Sequence, residues 1–154
     1  MTTPTTPSAP QARVPFGLSQ IGQVALRAHD LDRAVAFYAA AFGLRPGRRF
    51  GKFGVEMLGA PCAVYLLAKP AGSSPAATTP QRRDYRRHWT PVHLDFVVPD
   101  VAAAVRRAEA AGARLEEAVR THEWGRIAVM ADPFGHGFCL LEFAGRGYDA
   151  IATG

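Results

Sequence analysis

Cysteine is almost missing from this chain: the 154 residues contain two, Cys62 and Cys139. Each lies inside an apolar run, and neither has a partner at the spacing of a zinc knuckle. That excludes a structural zinc module and a disulfide-framed secreted scaffold, and it suits a reducing, cytoplasmic setting; one bond between the two remains an open alternative. Long hydrophobic runs are also missing, none approaching the roughly 20 residues of a membrane helix, so no membrane partner is expected. The opening stretch MTTPTTPSAPQARVP lacks a basic region followed by a hydrophobic block, which excludes a signal peptide. Its Thr, Pro, Ser and Ala predict a disordered tail over residues 1–17. Zinc-finger, basic-zipper and aromatic RNA-binding signatures are absent too. The formal charge of +5 is concentrated where Arg82, Arg83, Arg86 and Arg87 crowd a polar stretch, a charged connector and not a recognition helix, so no nucleic-acid partner is expected.

What is present is one pattern written twice. IGQVALRAHDLDRAVAFYAAAFGL begins at Ile21 and PVHLDFVVPDVAAAVRRAEAAGA at Pro91. Each opens with period-two alternation, meets an aspartate placed to cap a helix (Asp30, Asp100), and continues with apolar residues at helical spacing. In the first helix Leu31, Val35, Phe37, Tyr38, Ala41 and Phe42 form the apolar face and Gly43 stops it. In the second, Val101, Ala104, Val105 and Ala108 do so and Gly112 is the stop. Strand-like runs follow: 48–50, 53–58 and 62–68 in the first half, and 114–120, 126–131 and 137–143 in the second. The boundaries become module 1 at 18–69, a connector at 70–89, module 2 at 90–145 and a C-terminal tail at 146–154. A connector that long is either a lid over a site or a plain link.

Candidate chemistry starts at PVHLDFVVPD, where His93 and Asp95 share one strand face. Two positions apart is about 7 Å along a strand, so Asp95 either steadies the imidazole or pairs elsewhere. Glu142, among Leu140, Leu141 and Phe143, is a carboxylate that needs an ion or a donor to answer it. It is the candidate acid or base. Tyr65, Asp95, Trp124 and Arg126 are candidate substrate contacts, with packing or a solvated edge as the competing explanation. Glu56 competes between the same roles. His136, in PFGHGF, is expected in a solvent-exposed turn and is not counted as a ligand.

The segments HDLDRAVAFYAAAFGL, VPDVAAAVRRAEAAGA and ADPFGHGFCLLEF resemble the vicinal oxygen chelate superfamily, which includes glyoxalase I, extradiol dioxygenases and bleomycin-binding proteins. The resemblance covers about residues 19–145. It implies an α+β fold of two βαβββ modules forming a half-open barrel around a concave pocket, and dimers are frequent in such proteins. It also implies a divalent ion (iron, manganese, nickel or zinc) held from the first and last strands of the modules. Carried over by position, the ligands are His93, Glu142 and Gln23, and the fourth position falls on Leu66, which cannot bind a metal. Three functions follow as expectations: a metal-dependent lyase, isomerase or dioxygenase; a metal-free protein that binds a drug or metabolite; and a metal-free enzyme using Glu142.

Overall fold

The computed structural model describes residues 22–153. The expected tail over 1–17 and the first residues of module 1 lie outside that range. In chain order the elements are β1 (Gln23–Ala28), α1 (Leu31–Phe42), β2 (Arg45–Phe50), β3 (Gly54–Leu58), β4 (Ala63–Ala68), β5 (Leu94–Val97), α2 (Val101–Ala110), β6 (Arg114–His122), β7 (Gly125–Ala131) and β8 (Gly137–Phe143). The fold is α+β. Two mixed sheets run β1-β4-β3-β2 and β5-β8-β7-β6, with the first strand of each parallel to the last.

Local chemistry accounts for the repeated unit. Asp30 and Asp100, both extended, accept the N–H groups of Arg33 and Ala103 and so open α1 and α2. Gly43 ends α1 in the left-handed conformation that favours glycine, with φ at 69°. In α2 the buried positions are the expected four, Val101, Ala104, Val105 and Ala108.

Each sheet has a helix-covered face and an open face. Val64 and Leu66 of β4, Val55 and Met57 of β3, Ala128 and Met130 of β7, and Phe138 and Leu140 of β8 belong to one core with both helices. The alternate residues point the other way. In the second sheet Val129, Cys139 and Leu141 form a small apolar floor with Trp124 and Ile127. The two four-stranded sheets remain separate, so the barrel does not close.

Helix α1 joins the halves. Phe42 stacks on Phe96 of β5 with ring centres 4.2 Å apart, and the Tyr38 hydroxyl donates to Asp132, just after β7, at 2.7 Å. The backbone carbonyl of Ala41 accepts Arg107 Nε of α2. The connector is fastened to both modules. Arg87 makes two hydrogen bonds to Glu116 at 2.8 and 2.7 Å and lies over the Trp89 ring, while the Tyr85 hydroxyl donates to the Lys69 carbonyl. Gly135 is required beneath it, because a Cβ there would sit 2.7 Å from the Tyr85 carbonyl oxygen. The expected C-terminal tail contains a single turn, Gly147–Ala150, whose Tyr148 packs on Trp124 and Phe143.

Candidate functional site

Strand pairing gathers one group of donors on the open face of the second sheet. Asp95 and Cys139 are register partners of the parallel pair β5 and β8. His93, one residue ahead of β5, brings Nε2 to 3.2 Å from the Asp95 carboxylate, so the pair spaced two apart does meet. One ligand atom from each of His93, Asp95 and Cys139 lies within 4.8 Å of the others. Burial, followed by the charge and hydrogen bond of Asp95, pushes the Cys139 thiol up to about 11. The set offers nitrogen, oxygen and sulfur donors, a mixture that suits zinc or a neighbouring first-row ion.

The ligand set expected by position is not assembled. Glu142 is three residues beyond Cys139 and therefore projects from the opposite face of β8. Its Oε2 accepts the backbone N–H of Val101 at 2.6 Å, at the first turn of α2, and faces Arg126 at 3.5 Å. The carboxylate is answered by protein donors and a helix end, on the face of β8 away from Asp95 and Cys139. Leu66 is buried in the core against the helices, so the position expected for a fourth ligand also points away from the open face. Gln23 is exposed at the start of β1, paired in register with Ala63. Arg126 shares the helix-side face with Glu142.

Tyr65 does lie on the open side of the first sheet, within a polar network. Its hydroxyl donates to Glu56 at 3.0 Å and accepts from Arg48 at 2.9 Å, while Arg48 grips both Glu56 oxygens at 2.9 and 2.7 Å. The hydrogen bonds from Arg48 hold the Glu56 carboxyl down at about 2. Phe50 stacks on the Tyr65 ring and remains partly exposed. Trp124 stacks on His122 and borders the apolar floor of the second sheet.

Two residues were missed as site elements by reading the sequence. Cys139 looked like an ordinary buried thiol, although its odd separation from Glu142 puts it on the face of Asp95. His136 is not a bare turn residue. Its Nδ1 lies 2.7 Å from the fully buried Asp132 carboxylate, which also accepts the backbone N–H groups of Phe134 and His136 and the Tyr38 hydroxyl. The aspartate four residues earlier in the same turn was the available signal.

A cavity of about 260 Å³ opens at the seam between β1 and β5. Val24, Leu26, Phe96 and Phe138 supply apolar wall, and His93 connects it to the donor group.

Comparison with known proteins places these observations in a family. A family model described as a glyoxalase-like domain matches residues 23–141. The anthracycline biosynthesis protein DauV of Streptomyces sp. (strain C5) is 34% identical over 134 residues, covering 87% of this chain and 45% of that protein. The anthracycline biosynthesis protein DnrV of Streptomyces peucetius is 31% identical over 137 residues, with the same coverage. The chain thus spans about half the length of these curated relatives. Among solved structures, the genomically encoded fosfomycin resistance protein FosX of Listeria monocytogenes superposes with a TM-score of 0.64 at 19% identity, over 82% of this chain and 95% of that one. At that identity the likeness shows the shared fold.

Proposed function

The chain belongs to the glyoxalase-like family of the vicinal oxygen chelate superfamily, and we propose that it holds a small organic molecule in the half-open barrel beside a divalent ion bound by His93, Asp95 and Cys139. The observation that carries this reading is the convergence of those three donors on the open face. Three protein ligands leave coordination positions for ligand oxygens. Any bound ion would supply Lewis acidity to such oxygens.

The chain's own residues have separable parts in this reading. Asp95 orients the His93 imidazole through their 3.2 Å contact. Cys139 gives up its proton when it ligates, so ion uptake releases acid. Val129 and Leu141 keep water from the floor of the cup. Tyr65 and Trp124 present ring edges and faces to the ligand. The naming of DauV and DnrV for anthracycline biosynthesis supports an oxygen-bearing aromatic molecule as the class of ligand. No membrane-crossing helix occurs among the described residues. A cytoplasmic site of action and a homodimer, frequent in the superfamily, complete the proposal.

Elemental analysis of protein purified without a metal-affinity tag tests the reading. A stoichiometric iron, manganese, nickel or zinc signal is expected, lost in His93→Ala and in Cys139→Ala and retained in Glu142→Gln. Metal at trace level only, with ligand affinity indifferent to added divalent ions, overturns the ion-bound form. The metal-free binding protein is the second reading, and one observation favours it: His93 and Asp95 already satisfy each other. Turnover separates enzyme from binder, since a binder leaves its ligand chemically unaltered.

A further inference from the structure

The seam cavity does not end at its apolar walls. It meets a wider, more open vestibule formed under the connector, and Arg27, His88, Thr90 and His136 border both spaces. The vestibule is strongly basic. Arg82, Arg83, Arg86 and Arg87 line it together with Arg27, against a single acid, Asp84. Asp84 is committed to Arg86 at 2.6 Å, and Arg87 is neutralised by Glu116. Arg83 is held by Ser73 Oγ and the Ser74 carbonyl, and Arg82 by backbone carbonyls, and neither has a carboxylate partner among the described residues. Arg27 likewise donates to the carbonyl of Ala25 and has no carboxylate partner among the described residues. Positive charge without counter-charge therefore gathers at the mouth of an apolar chamber.

His136 stands where the two spaces join. Asp132 occupies its Nδ1 and fixes the ring, and Nε2 has no hydrogen-bond partner among the described residues. Tyr38, which donates to the same carboxylate, lines the inner chamber. A ring held this way is a pre-oriented hydrogen-bonding group at the boundary between apolar and charged zones.

From this arrangement we propose that the seam cavity and vestibule form a binding site for an amphiphilic organic anion. The apolar body, about one or two fused rings at this cavity volume, enters between β1 and β5. Its carboxylate or phosphate is met by Arg27 and His88, and His136 contacts the atom that joins the two parts. The site adjoins the ion-bound reading above at His93, which lines the seam cavity, but needs no bound ion, and Cys139 borders neither space.

Titration by calorimetry, in excess EDTA, with 2-naphthoate, 1-naphthyl phosphate and the neutral 2-naphthamide tests the proposal. At least one anion is expected to bind tenfold or more tightly than the amide, with the preference shrinking as salt rises. The stronger of the two anions identifies carboxylate or phosphate as the headgroup. Arg27→Gln should abolish the preference for the anion, and Arg27→Lys should retain part of it. His136→Gln should weaken every probe. Arg45→Gln, on the far edge strand of the first sheet, should change nothing. Cys139→Ala should leave the affinities intact, which separates failure here from failure of the metal reading. Should a variant not fold, amide spectra of the wild type decide: Arg27, Gly135 and Gly137 resonances shift on adding the preferred anion. Equal affinity for naphthoate, naphthyl phosphate and naphthamide, or an anion preference that survives Arg27→Gln, overturns the proposal.

Discussion

Glu142 reaches across from β8 to accept the backbone N–H of Val101 at 2.6 Å, adding a second acceptor at the N-terminus of α2 beside the capping Asp100. The strand thereby anchors the helix, and the carboxylate meets the positive end of the helix dipole. Glu142→Ala is expected to lower stability by about 1–2 kcal/mol, the range for losing a capping acceptor. Denaturant unfolding should show that loss, while metal content is preserved.

Leu66 supplies the complementary case. It is 1% exposed in the core beneath α1, so Leu66→Glu buries a carboxylate with no partner. A loss of more than about 4 kcal/mol is expected, enough to unfold a marginal domain. If the variant stayed folded and bound a divalent ion more tightly, the orientation of β4 would be wrong.

Glu56 gives a pH signature. Its folded carboxyl titrates at about 2 against an ordinary 4.5, chiefly through the Arg48 hydrogen bonds. A depressed carboxyl contributes stability that is complete above the unfolded value and disappears as pH falls through the folded one. The contribution is therefore full above about 4.5 and is lost towards 2. Because Arg48 is largely exposed, the effect is modest and weakens with salt. Thermal melts of wild type and Glu56→Gln should converge over that interval.

Gly135 tests the fastening of the connector. With φ at +91° and carbonyls of Tyr85 and Arg86 at 2.7 and 2.8 Å from any Cβ, Gly135→Ala must lift residues 85–86. A destabilisation above about 1 kcal/mol is expected. Limited proteolysis should cut within 70–89 faster than in the wild type, and unchanged cleavage would argue against a docked connector.

Much of this architecture was legible because helix and strand signals are local. The aspartate caps, the four buried positions of α2 and the glycine after α1 stand in the sequence as they stand in the fold. The edges of strands shifted by a few residues: the second strand begins at Arg45, not Arg48, and β6 runs on to His122. The face of the closing strand was harder. In CLLEF the glutamate invites assignment to the site, yet a one-residue change of parity moves a side chain through the sheet. Phe138 and Leu140 are packed under α2, so Glu142 follows them and Cys139 faces His93. The same parity turns Leu66 inward and Tyr65 outward. The seam cavity was not legible, since residues from β1, the connector and the turn at Gly135 make it only after both modules dock.

The parallel pairing of first and last strands has a bearing on how the chain acquires this shape. Leu94–Val97 hydrogen-bonds only to β8 among the described strands, so during synthesis it waits without a partner while about forty further residues are made. Meanwhile β6 and β7 can pair as a simple hairpin, and α2 can nucleate on its own cap. The donor group of His93, Asp95 and Cys139 comes into being at the last pairing event of the second module, and nascent chains arrested before Gly137 would contain two of its three members but no site.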